Sequence, residues 1–175
     1  MAQRGDEAED RAELRQGHAW PTTTGELTEG ERLVVWAFRR WVSGPEHLPM
    51  LAREFDRQFL RQEARPALFA LDAALTGLSR HARRSIVYHQ PCCACVGADE
   101  VCLVCIVAAQ QAGATTAARA MAGWLVLPSG LDAFLTPLNA FGERLASSGH
   151  DLPYRVGQRN RPVPFVAMPV ALSVH

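Results

Sequence analysis

Apolar residues recur every three to four positions through most of the chain, and that spacing predicts helices. Leu33, Val34, Trp36, Ala37, Phe38, Trp41 and Val42 share one broad face. Thr28 with Glu31 three residues on forms a capping box ahead of them, and Ser43-Gly44-Pro45 stops the run. A second helix is expected from about Glu46, with Leu48, Leu51, Phe55, Phe59 and Leu60 inside and Arg53, Asp56, Arg57 and Arg61 outside. Pro66 opens a third at its tolerated first turn, with Leu68, Phe69, Leu71, Leu75 and Leu78 as its core stripe. From Asp99, read as its N-cap, to about Gln111 a fourth helix is apolar nearly all round, which predicts a central position. A fifth runs from Thr115 or Thr116 to about Leu127, using Ala120, Met121, Trp124, Leu125 and Val126. A sixth spans 131–146 on Phe134, Leu135, Leu138, Phe141 and Leu145, with Pro137 expected to kink it or delay its start.

These elements define an all-α, single-domain bundle of about six helices over 26–150. Residues 1–25 are charged and then Thr-rich, and read as a mobile tail. Residues 151–175 carry four prolines, Pro153, Pro162, Pro164 and Pro169, and read as an extended C-terminal arm. Ile86-Val87-Tyr88 offers one short extended segment, which does not make a sheet.

The chemistry concentrates between the third and fourth helices. All five cysteines lie within 92–105, in two Cys-x-x-Cys pairs, Cys92/Cys95 and Cys102/Cys105, with Cys93 and His89 as further donors. Four thiolates suit a closed tetrahedral zinc site, and Cys102 and Cys105 share a helical face. Cys102 falls in the first turn, where the helix dipole favours a thiolate. The same four sulfurs suit an iron–sulfur cluster. Two other readings stay open: a reactive thiol loop, and cysteines that are simply small core residues.

The 175-residue chain has zero formal charge, which predicts no bulk attraction to nucleic acid or an anionic membrane. It has no lysine, so any anion site must use Arg, His or backbone amides. Arg80, Arg83 and Arg84 end the third helix beside the loop, either complementing its dipole or forming an anion or partner patch. Arg39-Arg40 and the arginines of the second helix read as solvated surface. His18, His47, His150 and His175 read as isolated and exposed. No secretory signal or bilayer-length apolar run appears, so a cytoplasmic setting is expected, where clustered cysteines point to metal or redox chemistry rather than disulfides. No nucleotide-binding, phosphate-loop, zinc-protease or nucleophile-elbow motif occurs.

Phe38-Arg39-Arg40, Arg65-Pro66-Ala67-Leu68, 79–84, Pro91-Cys92-Cys93-Ala94-Cys95 and Asp99-Glu100 together resemble a family of small uncharacterised alphaproteobacterial proteins of unknown function. The resemblance covers the middle half of the chain. It implies a bacterial cytosolic setting, and it favours a site of Cys92, Cys93 and Cys95 with His89 over one using all four Cys-x-x-Cys sulfurs. The leading expectation is a zinc-stabilised regulatory or adaptor protein acting on a protein partner, with self-association compatible. An iron–sulfur or thiol-based sensor is the first alternative, and a helical binding module with incidental cysteines the second.

Overall fold

A computed structural model describes residues 20–155. Six α-helices follow in chain order: α1 (Glu29–Val42), α2 (Leu48–Gln58), α3 (Ala64–His81), α4 (Ala98–Gln111), α5 (Thr115–Leu125) and α6 (Leu131–Ser147). The expected all-α bundle is present, and among the described residues no strand forms beyond two isolated bridges, Thr23 with Cys95 and Ala82 with Val126. The expected capping box on α1 is complete: Thr28 Oγ1 accepts from the Glu31 N–H, and Glu31 Oε2 accepts from the Thr28 N–H at 2.8 Å. α6 runs unbroken through Pro137.

α3 and α6 form the most extensively packed pair, and α4 lies against α5 and α6. α4 is buried along most of its length, as its apolar circumference predicted. The core joins Phe55, Leu71, Leu75, Ile106, Phe134, Leu138, Phe141 and Leu145, all fully enclosed. Phe55 stacks on Phe59 with centroids 4.7 Å apart, and Phe141 closes the cluster.

The faces that pack differ from those expected in α3 and α5. Phe69 is 67% exposed and Trp124 is 62% exposed. The buried face of α3 is Ala64, Ala67, Leu71, Ala74, Leu75, Gly77 and Leu78, and that of α5 is Ala118, Ala122 and Leu125. Small residues were chosen because helix backbones come close here. A Cβ on Gly77 would stand 2.5 Å from the Ala133 carbonyl oxygen across the α3–α6 seam. Leu48 and Leu60, assigned to the inner face of the second helix, are also largely exposed.

Both ends of the described chain pack on the bundle. Residues 20–25 were read as part of a tail, but Thr24 N–H donates to Ala94 O at 2.7 Å and Val96 N–H donates to Thr22 O at 2.8 Å. Leu152 is buried, and Arg155 forms a bidentate pair with the buried Glu31. The rest of the expected tail, 1–19 with His18, and of the arm, 156–175 with His175, lies outside the described residues. His47 and His150 are half-buried rather than exposed, with His150 Nε2 3.1 Å from Gln58 O.

Candidate functional site

The polar link 82–97 between α3 and α4 carries His89, Cys92, Cys93 and Cys95, and its shape is set by two acids in the first turn of α4. Asp99 was expected to cap α4. Gly97 occupies that position instead, and Asp99 stands inside the helix with its carboxylate turned to the link. Arg84 donates to Asp99 from Nη1 at 2.7 Å and Nη2 at 2.6 Å, and the Val87 N–H adds 2.8 Å. The Asp99 hydrogen bond raises the Arg84 pKa above its ordinary value, outweighing the opposing effect of burial. Arg84 is therefore a structural cation. All three arginines of the expected patch, Arg80, Arg83 and Arg84, are exposed, and Arg84 is the one committed to Asp99.

Glu100 lies one residue further, fully buried, and meets Arg39 of α1, which is 2% exposed. Arg39 Nε donates to Glu100 Oε1 at 2.6 Å and Nη2 to Oε2 at 3.0 Å. The same guanidinium donates from Nη1 to Cys93 O at 2.7 Å and from Nη2 to Cys95 O at 2.6 Å, with Gln90 O at 3.4 Å. Glu100 also accepts from the Gly97 N–H at 2.7 Å and the His89 N–H at 3.2 Å, and His89 Nδ1 lies 3.2 Å from Oε2. Burial pushes the Glu100 pKa up. The Arg39 hydrogen bonds, the two backbone N–H groups and the Arg39 charge outweigh it and hold the carboxyl below the ordinary glutamate range. Arg39 is thus the keystone of the loop, not the solvated arginine that its sequence neighbourhood suggested.

Arg39 turns the loop carbonyls inward and leaves the thiols outward. Cys92 and Cys95 are exposed and Cys93 is half-buried. The Cys95 N–H donates to Cys93 Sγ at 3.4 Å. A thiol–thiol hydrogen bond to Cys93, with the Cys93 charge, raises the Cys95 pKa above the ordinary cysteine range. Slight burial adds to this, and Arg39 partly offsets it. The Cys95 N–H is thus the donor that the loop backbone turns to the Cys93 sulfur.

Cys102 and Cys105 belong to a different environment. Cys102 lies against Met121 O at 3.8 Å and Cys105 is buried. Burial pushes both thiols up to about 12. The Asp99 charge adds to this at Cys102 against Arg84, and the Cys102 charge adds to it at Cys105. α4 begins at Ala98, so Cys102 lies beyond the first turn whose dipole was expected to favour its thiolate, and desolvation in the packed helix prevails. Among the described residues, no three His, Cys, Asp or Glu side chains are gathered as a ligand set for an ion. Of the expected site, Cys92, Cys93 and Cys95 share one outer loop. His89 is turned inward to Glu100, Cys105 is buried in α4, and Cys102 packs half-buried against the core.

Two open grooves flank the loop. One is lined by Arg32, Leu33, Trp36, Glu54, Cys92 and Cys93 among others, and the second lies between the end of α1 and Tyr88, Gln90, Pro91 and Cys92. No helix among the described residues is long and apolar enough to cross a membrane. Comparison of the chain with protein-family models, with curated proteins and with solved structures finds no match in any of the three.

Proposed function

We propose that this protein is a thiol-based redox sensor whose working element is the Cys93/Cys95 pair, presented on a helical scaffold. The supporting observation is the closely spaced thiol pair on a loop whose backbone Arg39 holds in place: the Cys95 N–H donates to Cys93 Sγ, a contact that favours a thiolate there. Cys93 is the nucleophile. It attacks the terminal oxygen of a hydroperoxide, the O–O bond breaks, and alcohol or water leaves as Cys93 becomes a sulfenic acid. The Cys95 sulfur then attacks the Cys93 sulfur. A disulfide forms, and the sulfenic oxygen leaves as water with the Cys95 proton. Each thiol is oxidised by one electron and the peroxide is reduced by two. A disulfide across a single intervening residue is strained, so small thiols reduce it readily, which suits a reversible signal. The buried Arg39–Glu100 pair beneath the loop is the route by which its oxidation reaches α1 and α4, and a protein partner reading that surface completes the sensing role.

The test is mild peroxide treatment of reduced full-length protein, followed by alkylation and peptide mapping. A Cys93–Cys95 disulfide that disappears in both Cys93→Ser and Cys95→Ser supports the reading. Loop thiols that stay reduced, or oxidise no faster than free cysteine, overturn it.

A Cys-ligated zinc or iron–sulfur centre is the second reading, resting on three thiols carried within four residues of one loop. Cys92, Cys93 and Cys95 supply soft sulfur donors, and a closed tetrahedral site needs a fourth ligand. Cys102 and Cys105 would serve only after leaving the core, so a partner's side chain fits that place better. Stoichiometric zinc, or iron with sulfide, in protein purified without oxygen, retained until Cys92, Cys93 and Cys95 are replaced by Ser, establishes this reading in place of the first.

A further inference from the structure

Cys92 stands outside the Cys93/Cys95 pair, and its surroundings differ. Its side chain is exposed at the rim of a groove of ≈ 570 Å³, formed with Arg40, Ser43, His47, Tyr88 and Gln90. That size falls within the range of about 300–1,000 Å³ that small-molecule sites occupy. Among the described residues no carboxylate lines the groove; the Glu46 carboxylate lies 3.9 Å from His47 Nε2, one of its lining side chains. Arg40 is the groove's permanent cation. Its guanidinium lies over the Trp36 ring at 5.9 Å, which fixes its position. Arg40 makes no ion pair among the described residues, and its Nε is buried with no hydrogen-bond partner there. Its Nη groups are not among the enclosed atoms, and a guanidinium without a carboxylate partner favours an arriving oxygen acceptor there. Ser43, Tyr88 and Gln90 add neutral polar groups around it.

We propose that Cys92 is a site of mixed-disulfide formation with a small carboxylate-bearing thiol, whose carboxylate is recognised by Arg40. This rests on the reading of the loop as a thiol redox element and names its second co-reactant. The step is thiol–disulfide exchange. The Cys92 thiolate attacks one sulfur of the small molecule's disulfide, a Cys92–sulfur bond forms and the ligand's S–S bond breaks. The second half of the ligand leaves as thiolate and takes the proton that Cys92 gave up.

The experiment uses full-length protein carrying Cys93→Ser and Cys95→Ser, so that no neighbouring thiol resolves the adduct. Glutathione disulfide and cystamine, one anionic and one cationic, are compared by intact mass, each rate divided by its rate on free cysteine. The expected result is a preference for glutathione disulfide of at least about fivefold, as one or two charge contacts would give. Arg40→Gln should abolish that preference, Arg40→Glu should invert it, and added salt should weaken it in the parent. Equal normalised rates, or a preference indifferent to both Arg40 and salt, overturn the proposal. The salt titration needs no Arg40 variant, so the result stands even if those variants fold poorly. Because the Cys93/Cys95 pair is absent here, failure of the peroxide reaction and failure of this recognition are read separately.

Discussion

Replacing Arg39 with methionine keeps the apolar stem of the side chain and removes the guanidinium. Glu100 is then left fully buried beside two backbone N–H groups and His89, without its cation. The carbonyls of Cys93 and Cys95 lose donors at 2.7 and 2.6 Å. Removing one partner of a buried ion pair costs about 3–5 kcal/mol. The two inward carbonyls are part-buried and add to this loss. A domain of this size is stable by roughly 5–15 kcal/mol, so the variant still folds at 25 °C where the parent's stability exceeds about 6 kcal/mol. With a urea slope of about 2 kcal/mol/M, the midpoint falls by roughly 1.5–2.5 M. The double variant Arg39→Met/Glu100→Leu should recover a large part of the loss, since it leaves no orphaned charge. Loop geometry gives a second readout: the Cys93–Cys95 hydrogen bond loosens, and the rates of the loop thiols with an aromatic disulfide probe change in the variant. A loss below about 1 kcal/mol with unchanged thiol rates, or a double variant that costs the sum of the two singles, refutes the assignment of Arg39 as keystone.

Three further outcomes follow from the same structure. Glu100 carries a lowered native pKa, so the unfolded chain binds its proton first: the stabilisation is complete above roughly pH 4.3 and is lost as pH falls through the native value. In Arg39→Met the Arg39 hydrogen bonds and charge are gone and only the two backbone N–H groups still oppose burial, so the gap between parent and variant in urea titrations should narrow as the pH is lowered; a constant gap contradicts this. Gly77→Ala puts a Cβ 2.5 Å from the Ala133 carbonyl, and the α3–α6 seam should open at a cost of about 1–3 kcal/mol, read as a lowered Tm; an unchanged Tm shows the seam to be looser than the structure has it. Burial pushes Cys102 and Cys105 up to about 12, so iodoacetamide at neutral pH should label only Cys92, Cys93 and Cys95 in native protein and all five cysteines in denaturant. Native labelling of either helical cysteine shows that α4 opens more readily than its burial implies.

The helices were legible because their signals are local. The Thr28/Glu31 box, Pro66 in the first turn of α3 and the apolar circumference of α4 each act within a few residues. Which face would pack was less legible, because apolar periodicity weights large residues. In α3 and α5 the decisive positions are Ala67, Ala74, Gly77, Ala118 and Ala122, whose small size lets backbones approach. Phe69 and Trp124 sit on the same turns with greater hydrophobicity and are left outside. A close helix crossing excludes bulk, and a hydrophobicity pattern carries no information about that crossing distance.

The site was half legible for a related reason. The cysteine cluster stands out by composition, but its organisation comes from Arg39, 53 positions before Cys92, and no spacing rule links them. One signal existed. Glu31, Val35, Arg39 and Val42 recur at i, i+4, i+8 and i+11, so an acid and an arginine both lie on the apolar face of α1. A charged residue on a core face is held only where a partner meets it. Glu31 meets Arg155 and Arg39 meets Glu100, both from outside α1. Equal spacing suggested that Cys92/Cys95 and Cys102/Cys105 were equivalent pairs, yet one lies on a loop whose carbonyls face a buried arginine and the other on a helix that fills the core. A thiol on such a loop stays exposed because the backbone, not the side chain, is what the interior binds. The buried arginine thus fixes where these thiols stand without enclosing them.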